Sequence, residues 1–305
     1  MGPTASGKSA LALSCAEEFG GEIINGDSLQ VFSSLDIGTA KPTRVEQEKV
    51  KHHLIDIVPE GGSFTAGDFR RFALQVIESA EKAGAKHIYV VGGSGFYIQA
   101  LVSGMYDLPK PSSEVKKQVQ DLIEQRGWDV IYREVISRDP VFAQRLKAND
   151  HYRIQRALEM IFSSGKTMTE ILEDFEAAKL AKNPFPFHYI CVGLDLPVEE
   201  LRKNVEARTR AMLLKGWVDE VKSVLDRGLA NWEPMKSVGY NEICCFLAGT
   251  LPEEKLVDQI VTRTLQLAKR QRTWFRNKVK VDWFRSSDSV KAKNFIGEFL
   301  DSSSR

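Results

Sequence analysis

Apolar and polar residues follow one another along the chain in a pattern that predicts helices and strands in turn. An apolar-rich stretch at residues 10–19 ends at Gly20-Gly21, which is typical of a helix closed by glycine. Thr65 and Asp68 have the spacing of a capping box, which predicts a helix that continues to about residue 83. Short apolar stretches predict strands at residues 22–25, 53–58 and 86–91. This alternation predicts an α/β fold with a parallel sheet that carries helices on both faces.

The middle of the chain has helical patterns without a convincing strand. The helices predicted there are residues 114–126, 130–137, 140–147, 151–163 and 167–178. Strand patterns return at residues 189–194 and 281–284, and further helical patterns lie at residues 199–227, 253–276 and 290–300. We therefore predict a core domain formed by residues 1–105 and 182–305, with residues 106–181 inserted as a helical domain.

A glycine-rich motif at the start of the chain has the pattern G-x-x-x-x-G-K-S, which predicts a P-loop NTPase-like core. Its residues are Gly2, Pro3, Thr4, Ala5, Ser6, Gly7, Lys8 and Ser9. Backbone N–H groups and a helix N-terminus would surround a polyphosphate, and Lys8 would add a positive charge. The Ser9 hydroxyl would hold a phosphate-bound Mg²⁺ ion.

Two further polar residues stand where strands are predicted to end. Asp27 follows the stretch 22–25, and Ser94 follows the stretch 86–91. Ligands of parallel sheets bind beyond the carboxyl ends of the strands, so we expect both residues to lie beside the glycine-rich loop. The motif alone leaves the reaction open, because Asp27 could organise Mg²⁺ through water or accept a proton from a nucleophile.

Residues 261–280 form a basic stretch without any acidic residue. Its cations are Arg263, Lys269, Arg270, Arg272, Arg276, Lys278 and Lys280, and Trp274 and Phe275 lie among them. Such a stretch suits phosphate contacts together with a stacking or wedging ring. A solvated amphipathic helix with Trp274 in the core explains the same composition equally well.

The composition of the chain is typical of a globular protein. The 305 residues are 43% hydrophobic and 27% charged, with a net charge of +1, as in ordinary globular proteins. The four cysteines have neither disulfide-framework nor zinc-site spacing, which favours a reducing cytoplasmic compartment. A membrane span and a signal peptide are not expected, because long apolar runs are missing from the sequence.

Nine motifs in one order along nearly the whole chain resemble the bacterial form of tRNA dimethylallyltransferase. They are residues 2–9, Asn25-Gly26-Asp27-Ser28, 36–42 (DIGTAKP), 52–56 (HHLID), 64–69 (FTAGDF), 91–97 (VGGSGFY), 155–159 (QRALE), 238–240 (VGY) and 269–276 (KRQRTWFR). The resemblance implies transfer of a dimethylallyl group from dimethylallyl diphosphate to the exocyclic amine of an adenine. That adenine would lie 3′ of the anticodon in tRNAs that read codons beginning with U.

The resemblance also implies the roles of individual residues. Asp27 would be the base that takes the proton of the amine, and Ser94, where the family usually has Thr, would lie beside the reacting centre. The loop from Thr4 to Ser9 would hold the diphosphate with Mg²⁺, and Arg208 would contact the same group. The expected partners are the donor and a tRNA anticodon arm, and we expect a monomer that does not bind membranes.

The tRNA contacts that the resemblance implies fall in several stretches. They are Asp27, Ser28, Leu29, Gln30 and Ser94; Lys116, Gln155, Arg156, Ala157, Leu158 and Glu159; Lys236, Ser237, Val238, Gly239, Tyr240 and Asn241; and Lys269, Arg270, Gln271, Arg272, Thr273, Trp274, Phe275 and Arg276. Because the family commonly has Arg at the position of Lys116, we expect a phosphate contact there that is not bidentate.

Three alternatives remain at this point. An adenylate isopentenyltransferase would prenylate a free nucleotide and would not need the helical insertion or the basic stretch. A small-molecule kinase would use the same loop on ATP, but it would need lid arginines and a nucleoside pocket that we do not identify. A non-catalytic tRNA-binding protein would not need Lys8, Asp27 and Arg208 together.

The phosphate loop of such folds normally follows a buried strand, whereas Met1 directly precedes Gly2 in this sequence. We expect that the sequence is shortened at its N-terminus. A version extended by about six apolar residues, the usual length of a strand, is then expected to unfold at a higher temperature.

Overall fold

The computed structural model describes residues 1–105, 111–181 and 185–303. The chain divides into two compact units, of which unit 1 contains Met1–Val102 and Phe187–Arg305, and unit 2 contains Ser103–Pro186. The helical domain predicted at residues 106–181 falls within unit 2. Across the described residues, no helix combines the length and the apolarity that a bilayer crossing requires.

The first part of unit 1 is a three-stranded parallel sheet with helices. The strands are β1 (Glu22–Asn25), β2 (His52–His53) and β3 (Ile88–Val91), in the order β2-β1-β3. The helices are α1 (Lys8–Phe19), α2 (Arg44–Lys49), α3 (Ala66–Lys82) and α4 (Gly95–Ser103). The predicted capping box of α3 is confirmed, since Thr65 Oγ1 accepts from the Asp68 N–H and the Asp68 carboxylate accepts from the Thr65 N–H.

The strand predicted at residues 53–58 is wrong. Regular pairing ends at His53, because Leu54 and Asp56 have φ angles of 59° and 57° in the left-handed region, which a continuous strand does not contain. Val58 makes only an isolated bridge with Phe32. The turn nevertheless provides a partner for a buried side chain, because the Leu54 carbonyl accepts a hydrogen bond from Asn25 Nδ2 at 2.9 Å.

Unit 2 is helical throughout its described residues. Its helices are α5 (Ser113–Arg126), α6 (Trp128–Arg138), α7 (Pro140–Ala143), α8 (His151–Ser164) and α9 (Met168–Ala181). Their apolar faces meet in a core that includes Val119, Val135, Ile154 and Leu158. The helix predicted at residues 140–147 is shorter than expected and ends at Ala143.

The second part of unit 1 is a parallel pair of strands with long helices. The elements are β4 (Val192–Asp195), α10 (Val198–Leu214), α11 (Trp217–Asp226), α12 (Tyr240–Leu247), α13 (Glu253–Lys278), β5 (Asp282–Arg285) and α14 (Ser289–Ser303). The helical pattern predicted at residues 199–227 is two helices, because Gly216 has a φ angle of 96° and ends the first one.

Main-chain hydrogen bonds attach the glycine-rich loop to β4. The Met1 amine donates to the Val192 carbonyl at 2.6 Å, and the Leu194 N–H donates to the Met1 carbonyl at 3.0 Å. A Cβ atom on Gly2 would lie 2.5 Å from the Leu194 carbonyl oxygen. The loop therefore begins in direct contact with the carboxyl-terminal half of β4.

Candidate active site at the carboxyl ends of the strands

The loop of residues 2–9 wraps around the N-terminus of α1. Gly7 and Ala5 have φ angles of 84° and 61°, so the chain turns sharply before α1 begins at Lys8. The Ser6 hydroxyl is buried and has no hydrogen-bond partner among the described residues. A partly buried loop with an unpaired hydroxyl and a helix N-terminus offers several donors to a phosphate group.

Two cations and one carboxylate interact at this loop. Lys8 Nζ donates to the Pro3 carbonyl at 3.3 Å, and the Arg208 guanidinium donates to Thr4 Oγ1 at 2.8 Å. Burial lowers the pKa of Lys8 to about 8; the negative charge of Asp27 opposes the shift, and the charge of Arg208 adds to it. Burial also lowers the pKa of Arg208, again opposed by Asp27. The two cations predicted to contact the diphosphate and the carboxylate predicted to act as the base are therefore brought together.

Hydrogen bonds with Asn25 fix the main chain around Asp27. The Asp27 N–H donates to Asn25 Oδ1 at 2.9 Å, and Asn25 Nδ2 donates to the carbonyls of Leu54 and Asp27. Asp27 Oδ1 accepts from the Leu29 N–H at 2.9 Å. Among the described residues, Oδ2 accepts no hydrogen bond, so this oxygen remains available to a ligand. Asn25 was not singled out in the sequence, although it belongs to one of the family motifs.

Ser94 lies beside Asp27 because two loops touch through their main chains. The Ser94 N–H donates to the Gly26 carbonyl at 3.3 Å, and Ser94 Oγ accepts from the Ser28 N–H at 3.0 Å. A Cβ atom on Gly92 would lie 2.0 Å from the Gly26 carbonyl oxygen, so any larger residue at this position would clash with the main chain. Since Ser94 Oγ acts as an acceptor here, its own proton can be donated to a ligand.

Helix α13 contributes two side chains to the same place. Gln271 accepts from the Thr4 N–H at 3.0 Å and donates to the Gly93 carbonyl at 3.0 Å. The Trp274 ring packs on Gly95, where a Cβ atom would lie 2.3 Å from the ring. Neither contact is visible in the sequence, which separates these partners by more than 170 residues.

The remaining residues of the basic stretch divide between the surface and the interior. Lys269, Arg270, Thr273 and Arg276 are exposed. Arg272 donates to Asp195 Oδ1 at 2.6 Å and to the Leu196 carbonyl, and only 16% of its side chain is exposed. This guanidinium is therefore committed to an ion pair that the sequence analysis missed, because Asp195 lies 77 positions away.

The structure corrects the prediction of tRNA contact for four side chains, because each lies within a hydrophobic core. Phe275 and Tyr240 are fully buried in unit 1, and the Tyr240 hydroxyl donates to Glu220. Ala157 and Leu158 are buried in the core of unit 2. Other residues predicted to contact tRNA are exposed or partly exposed. They are Lys236, Ser237, Val238 and Asn241 in unit 1 and Lys116, Gln155 and Arg156 in unit 2.

Two other members of the predicted set have structural contacts. Gly239 has a φ angle of 92°, and a Cβ atom there would lie 2.1 Å from the Trp217 ring, so only glycine fits. The buried Glu159 accepts from Gln155 at 3.0 Å and from Arg156 at 3.2 Å. Its carboxylate orients the two side chains one helical turn before it.

The sequence model of the IPP transferase family matches residues 30–278 of this chain. The chain belongs to this family. A tRNA dimethylallyltransferase of Bdellovibrio bacteriovorus is 39% identical over 302 residues, which cover 98% of this chain and 96% of that protein. Membership agrees with the resemblance drawn from the nine motifs, and it gives no support to the small-molecule kinase hypothesis.

Solved structures of the family have the same fold. The tRNA isopentenylpyrophosphate transferase of Bacillus halodurans matches with a TM-score of 0.71 and 30% identity over 99% of this chain and 96% of that one. A eukaryotic dimethylallyltransferase acting on tRNA matches with a TM-score of 0.75 and 27% identity, over 93% of this chain and 72% of that one. The predicted α/β fold of the P-loop type is thereby confirmed.

We predict that the Lys8 amine titrates near pH 8 in the ligand-free protein. Asp27→Asn should lower this pKa further, because the variant loses a charge that favours the protonated amine. Arg208→Met should raise the pKa, because it removes a repelling cation, and added inorganic diphosphate should raise it as well. Acylation of Lys8 by a trace reagent at a series of pH values, quantified by peptide mass spectrometry, measures the shifts. Two variants that shift the pKa in the same direction would contradict the assigned electrostatics.

Proposed function

We propose that this family member transfers a dimethylallyl group from dimethylallyl diphosphate to the exocyclic amine of the adenine 3′ of the anticodon. The tRNAs proposed as substrates read codons that begin with U. The observation that carries the proposal is the meeting of Lys8, Arg208 and the glycine-rich loop with Asp27 and Ser94 at one rim. Such a site holds a leaving anion on one side and accepts a proton on the other.

The chemistry follows from these two sides. As the allylic carbon–oxygen bond breaks, both bonding electrons leave with the diphosphate, whose charge is stabilised by Lys8, Arg208 and the N–H groups of the loop. The adenine amine forms the new carbon–nitrogen bond, and positive charge develops on its nitrogen. Asp27 Oδ2 takes the surplus proton, which restores a neutral secondary amine. The Ser94 hydroxyl would donate a hydrogen bond beside the reacting atoms.

The residues present fit a Mg²⁺ ion bound with the diphosphate. Mg²⁺ prefers hard oxygen ligands and retains several waters, so one hydroxyl beside two phosphate groups is a sufficient protein contribution. Ser9 offers that hydroxyl from the exposed first turn of α1, directly after Lys8. When bound, the ion supplies further neutralisation of the charge that develops on the leaving group.

A tRNA surface is proposed for the exposed cations of α13 together with Trp274. Lys269 and Arg270 are free of the ion pair that engages Arg272, so they suit contacts with backbone phosphates. The target adenine has to leave its stack to bring its amine to Asp27. Exposed residues of unit 2 and of the stretch 236–241 are proposed as further contacts. We also propose that the protein acts in the cytoplasm as a monomer that does not bind membranes.

The decisive experiment is nucleoside mass spectrometry of tRNA incubated with the protein, Mg²⁺ and dimethylallyl diphosphate. We expect an adenosine heavier by one dimethylallyl group in an anticodon-loop fragment, without consumption of ATP. Adenosine monophosphate is the matched alternative acceptor, and its exclusive prenylation would instead support the nucleotide-specific enzyme. Hydrolysis of ATP stimulated by tRNA, with no prenylated adenosine, contradicts both the tRNA-modifying function and the nucleotide-specific one.

Asp27→Ala is expected to lower kcat by about a hundredfold or more, as is typical for loss of a general base. The affinity for tRNA should change little, because the substitution removes a carboxylate rather than a phosphate contact. Single-turnover rates with saturating donor, together with filter-binding of tRNA, separate the two quantities. Glu48→Ala is the control, because it removes an exposed carboxylate on α2 that lies outside the predicted site. A fully active Asp27→Ala protein removes Asp27 from the mechanism.

The double variant Lys269→Ala/Arg270→Ala is expected to weaken tRNA binding and to reduce its salt dependence. Each lost phosphate contact should lower the slope of log K against log salt by about 1. Binding of dimethylallyl diphosphate should be unaffected, because neither side chain contacts the glycine-rich loop. Lys255→Ala on the same helix is the matched control, since Lys255 is exposed and lies outside the basic stretch. An unchanged slope in the double variant would place the tRNA elsewhere.

A further inference from the structure

Gln271 stands apart from the other residues of the basic stretch, because its carboxamide contacts two functional loops of the site. We propose that Gln271 is a positioning residue that fixes the glycine-rich loop against the loop carrying Ser94. This inference rests on the proposed function, since it assigns the first loop to the donor diphosphate. It also removes Gln271 from the side chains expected to contact tRNA.

The geometry requires one group that both accepts and donates. Gln271 Oε1 accepts from the Thr4 N–H at 3.0 Å, and Nε2 donates to the Gly93 carbonyl at 3.0 Å. A Cβ atom on Gly93 would lie 2.6 Å from Nε2, so glycine is needed there for the carboxamide to approach the main chain. A carboxylate lacks the donor, and a thioether lacks both strong hydrogen-bonding functions.

The two ends of this bridge lead to the two halves of the reaction. Thr4 also binds Arg208 through its hydroxyl, at 2.8 Å, on the side of the leaving group. Gly93 directly precedes Ser94, whose hydroxyl accepts from the N–H of Ser28, the neighbour of Asp27. Gln271 therefore sets the separation between the diphosphate and the base, and errors of about 1 Å in such separations are costly to turnover.

Helix α13 holds the bridge in place. Ala268 and Phe275 are fully buried on the helix, and the Trp274 ring packs against Gly95, two residues beyond Gly93. The side chain of Gln271 thus extends from a helix that is fixed on either side of it. Because both loops bond to this one side chain, we expect it to limit their movement relative to each other.

The test compares Gln271→Met, which removes both hydrogen bonds at similar size, with Gln271→Glu, which retains the acceptor. Loss of two hydrogen bonds of ordinary strength predicts an affinity for dimethylallyl diphosphate lower by roughly tenfold or more in Gln271→Met. The rate of the chemical step should fall as well, while the affinity for tRNA should stay near that of the wild type. Gln266→Met is the matched control, because Gln266 is exposed on the same helix.

The pH profile of Gln271→Glu distinguishes positioning from simple loss of stability. At neutral pH its carboxylate cannot donate to the Gly93 carbonyl, so donor affinity should be reduced. As pH falls the introduced carboxyl group gains a proton and becomes both acceptor and donor, like the original carboxamide. The ratio of donor affinity between Gln271→Glu and wild type should therefore rise towards one at acid pH, whereas Gln266→Glu should show a flat ratio.

Three outcomes would overturn the inference. They are wild-type donor affinity and turnover in Gln271→Met, a flat affinity ratio for Gln271→Glu, and a loss confined to tRNA affinity, which would return Gln271 to the tRNA surface. Wild-type protein that binds tRNA but not dimethylallyl diphosphate would overturn the proposed function itself, and the inference with it. Unchanged donor binding in the variants, beside normal binding in the wild type, overturns the inference alone.

Discussion

The contact between the main chains at Gly26 and Gly92 is the constraint on which the rest of the site depends. The Gly26 N–H is bonded to the Val91 carbonyl at 2.8 Å, and a side chain at Gly92 would collide with the Gly26 carbonyl. Because the two loops touch, the Asp27 carboxylate and the Ser94 hydroxyl lie side by side, as the proposed reaction requires. Parallel pairing of β1 with β3 sets the register that makes this contact.

The cations of the site are held in an arrangement that favours an incoming anion. Burial lowers the pKa values of both Lys8 and Arg208, and the charge of Arg208 lowers the pKa of Lys8 further, by less than burial does. In the ligand-free protein, the negative charge of Asp27 offsets part of the free-energy cost of keeping these two buried groups charged. A diphosphate would offset far more, so the same electrostatics that destabilise the empty loop contribute to donor binding.

The sequence predicted the parts of the site that are local motifs, and it missed those that depend on distant partners. Lys8 follows from a glycine-rich motif before a helix, and Asp27 follows from the end of a strand. Both patterns involve only neighbouring residues. The role of Arg272 could not be predicted in this way, because its partner Asp195 lies far away in the sequence, on β4. Arg272 was predicted to contact phosphate, but it forms an ion pair with Asp195. Likewise, the Leu54 turn replaced a predicted strand, because left-handed φ angles at two non-glycine residues leave little trace in hydropathy.

The basic stretch shows why a motif cannot be assigned to one role as a whole. Residues three or four apart share a face of a helix, so Gln271 and Phe275 turn inward together while Lys269, Arg270 and Thr273 stay exposed. One face of α13 therefore bonds to the glycine-rich loop, and the opposite face carries exposed cations. In the proposed function, this one helix joins the recognition of the tRNA to the placement of the donor. Substitutions on the exposed face should consequently weaken tRNA binding, and substitutions on the inward face should weaken donor binding and turnover, even at adjacent positions in the sequence.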